Sequence, residues 1–98
     1  MKTYTGTRAF DGLDVRVDGR PLDPQFGLKT FSRNGFEWSF EGAEPQQLAL
    51  AILADATDAQ TALRLCGPFM AEIVANFDND WEMTEADVRD AVHALGGS

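Results

Sequence analysis

The chain has 98 residues, of which 44% are hydrophobic and 24% charged, with seven Phe, two Trp and one Cys. That is the recipe of one globular domain with a modest core, and it excludes an internal disulfide or a cysteine-built zinc cage. Sixteen Asp and Glu against eight Lys and Arg set the net charge at −8, which repels free nucleic acid and anionic membranes.

The first forty residues read as strands. Leu13, Val15 and Val17 alternate with Asp14, Arg16 and Asp18, the period of a half-buried strand. Asp11-Gly12 before them is a hairpin turn, so the preceding strand runs from about Tyr4 to Ala9. Asp18-Gly19 marks the far end, and Pro21 and Pro24 make the next stretch a loop. A second hairpin is expected at Asn34-Gly35. After it Phe36, Trp38 and Phe40 alternate with Glu37, Ser39 and Glu41, which predicts three aromatics on one face as the floor of the core.

The period then changes. Glu44-Pro45 opens a helix, and Gln46 to Ala54 is apolar nearly all round, so this helix should be the most buried. Thr57 or Asp58 caps the next one. Leu63, Cys66, Met70, Ile73, Val74 and Phe77 recur at helical spacing, interrupted by Gly67-Pro68, where the helix kinks or two helices abut. Asp78-Asn79-Asp80 is a turn. Thr84 and Asp87 are spaced as a capping box. Val88, Ala91, Val92 and Leu95 form the stripe of a last helix, ended by Gly96-Gly97. The whole predicts a single α+β domain over residues 1–98. Residues 1–41 give an antiparallel sheet of three or four strands in two hairpins. Residues 44–95 give three or four helices on one face.

Charge is unevenly placed. Residues 1–41 hold six bases and six acids, while residues 42–98 hold two bases and ten acids. Six of those acids, Asp78, Asp80, Glu82, Glu85, Asp87 and Asp90, fall within thirteen residues. One reading is a solvated surface with acids suited to a helix N-terminus. The other is an imitation of a phosphate ladder, because helical carboxylates at i, i+3 and i+4 lie ~5–6 Å apart.

Other chemistry finds little support. Asp78, Asp80 and Glu82 stand at positions 1, 3 and 5 of a calcium loop, but Met83 replaces its glycine and Arg89 its final glutamate. One His and one Cys are too few for zinc. Cys66 falls on an apolar helix face, and His93 lies near a helix end where a capping role suffices. No nucleophile elbow is present, and Gly6, Gly12 and Gly19 are spaced as hairpin punctuation rather than as a phosphate loop. Trp38 reads as core. Trp81 staples the last helix or, if exposed, anchors an interface. Phe26, Phe31 and Arg33 form a candidate second contact surface. The N-terminus lacks an apolar signal run, Leu48 to Ala54 is too short to span a membrane, and a lone cysteine suits a reducing compartment, so a cytoplasmic location is expected.

Asn34-Gly35-Phe36-Glu37-Trp38, Gly42, and Pro45 to Asp55 together resemble the DUF6166 family of small domains of unknown function from bacterial, prophage and phage genomes. Tyr4-Thr5-Gly6 and Val17 to Leu22 fit the same pattern. Gly67-Pro68 and the acidic second half depart from it. The resemblance implies a shared fold and no activity. Its phage association implies a class in which small acidic proteins inhibit host defence, anti-CRISPR proteins and other DNA mimics among them. The combined expectation is a non-enzymatic acidic protein with no cofactor, metal or catalytic residue, acting as a monomer or homodimer. It would occupy a basic nucleic-acid-binding host protein, such as a CRISPR effector complex, through Asp78, Asp80, Trp81, Glu82, Glu85, Asp87 and Asp90. The alternative is a general interaction or assembly module whose acids serve only solubility.

Overall fold

The computed structural model describes residues 1–10 and 12–96. The turn expected at Asp11-Gly12 and the helix end expected at Gly96-Gly97 therefore lie partly outside the described residues. Four antiparallel strands, β1 (Thr3–Ala9), β2 (Gly12–Val17), β3 (Arg20–Pro21) and β4 (Trp81–Thr84), form one sheet in the order β3-β2-β1-β4. The described residues also form three helices, α1 (Ala43–Ala56) and α2 (Ala59–Glu72) between β3 and β4 and α3 (Glu85–Ala94) after β4, with a 3-10 turn at Val74–Asn76. The α+β architecture is the expected one.

Two hairpins are present, but the one expected at Asn34-Gly35 does not form. The second joins β2 to β3, which takes up Pro21, expected in a loop, at the sheet edge where a missing N–H is tolerated. β1 and β2 pair Tyr4 with Val17 and Gly6 with Val15. β2 and β3 turn at Asp18-Gly19, with φ of 51° and 81°, the left-handed pair that a two-residue hairpin turn requires. Tyr4, Gly6, Val15, Val17 and Trp81 are buried on one face, while Thr7, Asp14, Arg16 and Glu82 on the other are exposed. The helical layer therefore covers one side of the sheet only.

The expected strand at residues 36–41 does not form. Trp38 is fully buried, as expected, but Phe36 is only partly so and Phe40 is 45% exposed. Ser39 sits at φ 77°, which breaks an extended run. Its N–H donates to the Val74 carbonyl instead of to a strand. The place beside β1 goes to β4, where the sequence suggested only the approach to a helix. Gly6 shows why Trp81 fits there. The two residues pair directly, and a Cβ on Gly6 would overlap the Trp81 indole, with Cζ2 at 2.7 Å. The glycine is thus a seat for an aromatic ring, not hairpin punctuation.

α1 begins at Ala43, which puts Glu44 and Pro45 in its first turn, and Gln47 to Leu53 are all fully buried. A helix buried on every side needs neighbours on every side. α2, α3 and the 3-10 turn supply some of them. The irregular segment 22–42 supplies another, held by the Gln47 amide. Its Oε1 accepts from the N–H groups of Phe31 (2.7 Å) and Ser32 (3.2 Å), and its Nε2 donates to the carbonyls of Pro24 (2.6 Å) and Lys29 (3.1 Å). All four hydrogen-bonding positions of the amide are filled.

Asp58 caps α2 by accepting from the Thr61 N–H at 2.7 Å. That bond holds its carboxyl below the usual carboxylate range. The helix runs through Gly67-Pro68 as one element, with Pro68 on its exposed side and Cys66 and Phe69 buried. Its buried stripe is Ala62, Leu65, Cys66 and Phe69; Leu63, expected inside, is 45% exposed. α2 also stops at Glu72, so Phe77 lies beyond it rather than on its face. Phe77 stacks on Trp81 at 4.3 Å, and Trp81 meets Trp38 edge-on at 5.9 Å.

Replacing Gln47 by Leu strips four backbone groups, one buried and three partly buried, of their partner. At about 1–3 kcal/mol for each unsatisfied group, urea melts should show a loss of at least about 3 kcal/mol. Gln47→Glu, which keeps the acceptor but loses both donors, should also destabilise. Gly6→Ala must displace the Trp81 ring and should cost at least the ~1–3 kcal/mol typical of overpacking. It should also change near-UV circular dichroism, and an unchanged melt for either residue would contradict this packing.

Candidate functional site

The acidic segment 78–90 contains two kinds of carboxylate. Some close the fold. Thr84 and Asp87 form a reciprocal capping box: Thr84 Oγ1 accepts from the Asp87 N–H at 3.1 Å, and Asp87 Oδ2 accepts from the Thr84 N–H at 2.9 Å. Two of the N-terminal donors of α3 are thereby satisfied. Glu85 accepts from the Lys2 N–H at 3.2 Å and forms an ion pair with Arg89 at 2.9 Å. It ties the start of the chain to α3.

The others do nothing of the kind. Asp78, Asp80, Glu82 and Asp90 are exposed, and among the described residues none has an ion pair or a side-chain hydrogen bond within the chain. Asp80 and Glu82 border a shallow depression at the sheet edge together with Thr5 and Thr7. Glu82 is directly opposite Thr5, with Arg16 on the next strand over, itself bound to Asp14. Asp90 stands apart on α3, three residues from Asp87. The single base of the segment is Arg89, already paired with Glu85. Folding thus leaves Asp78, Asp80 and Glu82 as a local run on the approach to β4 and along it, and spends Glu85 and Asp87 on structure.

Trp81 is only 8% exposed. Its place on the inner face of β4, over Gly6 and between Trp38 and Phe77, makes it part of the core and removes it as a surface anchor. The sequence signal for this was present: Trp81 and Met83 alternate with Asp80, Glu82 and Thr84. Four residues of alternation inside an acidic stretch are easily outweighed by the charge.

Cys66 is buried at 3% exposure, and His93 is exposed in the last turn of α3. No group of three His, Cys, Asp or Glu side chains gathers in a metal-holding arrangement among the described residues. No helix is long and apolar enough to cross a membrane. A partly buried cluster of titratable groups joins Tyr4, Asp55 and Lys2. The Tyr4 hydroxyl donates to Asp55 Oδ2 at 2.7 Å, and Lys2 Nζ reaches the same oxygen at 3.3 Å. Burial pushes the Tyr4 phenol well above the usual tyrosine range, and the bond to Asp55 and the negative charge of Asp55 add to it. The cluster fastens β1 to the end of α1. A phenol held protonated in this way is a hydrogen-bond donor, not a base.

A model of a family of unknown function, DUF6166, matches residues 4–94. No curated protein and no solved structure matches the chain.

Tyr4 is the chain's one tyrosine, so phenolate absorbance reports on it alone. A free tyrosine ionises near ~10. The folded protein should show no phenolate at that pH and should gain it only on unfolding. Because the folded value is raised, this contribution to stability is complete below ~10 and is lost as pH climbs beyond it. Tyr4→Phe should remove that alkaline loss and cost about 1.5–3 kcal/mol at neutral pH, the range for a hydrogen bond to a charged group. Native-state ionisation near ~10 would contradict the buried Tyr4–Asp55 bond.

Proposed function

The chain belongs to the DUF6166 family, and we propose that it is a non-enzymatic binding protein that offers Asp78, Asp80 and Glu82, with Asp90, to a basic nucleic-acid-binding partner. The observation that supports this is the division of labour within residues 78–90. The segment's one base is neutralised by Glu85, and the carboxylates left over are solvated and point at no cation of their own. Such groups give a field that steers a cationic surface toward the protein and weakens as salt rises.

The number of free carboxylates limits what they imitate. Residues two apart in an extended segment are ~6.6–6.8 Å apart, whereas duplex DNA carries a charge every ~1.7 Å of axis. The acidic run stands in for a few phosphates, not for a length of duplex. It would block a partner by occupying the lysines and arginines at one point of its nucleic-acid path. A CRISPR surveillance complex, which the family's phage association brings forward, is the partner to try first.

A second reading, an assembly module whose acids only keep it soluble, is favoured by one observation. Phe10, at the tip of the β1–β2 hairpin, is fully exposed, and Leu13 beside it is 36% exposed. Apolar self-association through that tip would survive high salt, whereas the charge-led contact would not.

The deciding experiment measures DNA binding by the candidate complex in the presence of the protein. With D78K/D80K/E82K, inhibition should weaken by about 10- to 100-fold at low salt, taking ~0.5–1 kcal/mol for each rim charge pair. Unchanged inhibition by that variant would reject the acidic surface. Light scattering across a salt series would show oligomers persisting at high salt if the assembly reading is the right one.

A further inference from the structure

Among the described residues, four of the eight Lys and Arg side chains meet no carboxylate. Lys2, Arg8, Arg16 and Arg89 form ion pairs, while among the described residues Arg20, Lys29, Arg33 and Arg64 form none. Two of these four lie in the irregular segment 22–42, each over a phenyl ring. Lys29 Nζ is 5.4 Å from the centroid of Phe31, and Arg33 Cζ is 5.8 Å from that of Phe26. Both bases are exposed, and so is Phe26, at 38%. A cation over an aromatic face is oriented without being neutralised. Its N–H donors remain open to an anion, and a guanidinium grips a carboxylate through two parallel bonds.

The segment is built to hold this arrangement. Gln47 bonds the backbone at Pro24, Lys29, Phe31 and Ser32, which brackets both rings. Ser32 Oγ donates to Glu44 at 2.8 Å. Gln25, immediately before Phe26, is at φ 63°, and its carbonyl accepts from the N–H groups of both Leu28 and Lys29. A side-chain-bearing residue in that left-handed region is strained and persists where its surroundings impose it. Ordered irregular segments of this length are uncommon in compact domains unless they serve a function.

We propose that Phe26, Lys29, Phe31 and Arg33 form a second contact surface, one that takes an acidic peptide segment of a partner protein. Two oriented bases match two carboxylates, and the exposed part of the Phe26 ring matches an apolar side chain beside them. A nucleic-acid strand matches less well. It brings a long run of phosphates to a chain of net charge −8, and the same segment carries Asp23, Glu37 and Glu41. The inference is independent of the acidic run on β4: it uses other residues of opposite sign.

The test titrates isotope-labelled full-length protein with a blocked Asp-Leu-Glu peptide and follows backbone amide shifts. A Lys-Leu-Lys peptide and an oligothymidylate serve as comparisons. Shifts confined to residues 25–34 are expected with the acidic peptide, at least tenfold weaker in K29A/R33A and absent with the basic peptide. Both substituted side chains are exposed, so the rest of that variant's spectrum should match the native one. No shift with the acidic peptide, an undiminished response in K29A/R33A, or a stronger response to oligothymidylate would each overturn the proposal, the last by assigning the surface to nucleic acid. Inhibition through Asp78, Asp80 and Glu82 should be untouched by K29A/R33A, which separates the two surfaces.

Discussion

One buried amide determines how much of this domain can be ordered. Gln47 lies at the head of the apolar run Leu48–Leu53 of α1, with no exposure to solvent. A lone amide there would be a liability. It is satisfied because segment 22–42 folds over α1 and presents two N–H groups and two carbonyls to it. The dependence runs both ways. The segment has no ladder of its own and uses Gln47 to settle backbone groups that would otherwise be buried without partners. α1 in turn gains a cover over Gln47. Leu22, Ser32 and Trp38 of the segment are themselves buried, and the Gln47 bonds fix the backbone on both sides of Phe26 and beside Phe31.

The second organising feature is the way carboxylates are allotted. In a chain with twice as many acids as bases, electrostatic repulsion would be expected to oppose compaction. The fold limits it by giving many acids a donor. Asp18 accepts from the Thr3 N–H, Glu37 pairs with Arg8, Glu44 accepts from Ser32, and Asp55 takes Tyr4 and Lys2. Asp58 and Asp87 cap α2 and α3, and Glu85 joins Lys2 to Arg89. Arg8 illustrates the economy of the arrangement: it pairs with Glu37, donates to the Trp38 carbonyl at 2.9 Å and lies 4.8 Å over the Trp38 ring. Against that background the bare carboxylates of Asp78, Asp80 and Glu82 stand out, because three fall within five residues while Glu85 and Asp87 just beyond them are employed.

Features whose causes are local were legible in the sequence. The alternation of β2, its end at Asp18-Gly19, the Thr84–Asp87 box and the all-round apolar α1 each follow from residues a few positions apart. Features set by distant partners were not. Phe36, Trp38 and Phe40 alternate as well as any strand, yet Ser39 turns away to meet Val74. β4 is four residues long and is defined by its fit to Gly6, a glycine whose role appears only when Trp81 is laid over it. Gln47 reads as an ordinary helix residue until the loop closes on it. The same distinction explains the acidic segment. Its charge was visible, but which acids cap, which pair and which remain open depends on Lys2 and Arg89.

The central claim is that Asp78, Asp80 and Glu82 are surplus to the fold and hence available to a partner. The most direct measurement compares the unfolding free energy of the triple variant D78N/D80N/E82Q with that of the native chain at low salt. The account predicts stability within about 0.5 kcal/mol of native, or higher, as for surface positions without structural partners, whereas D87N should lower it. A loss of more than about 1 kcal/mol in the triple variant would show that these carboxylates hold the domain together, and the division between structural and presented acids would fail.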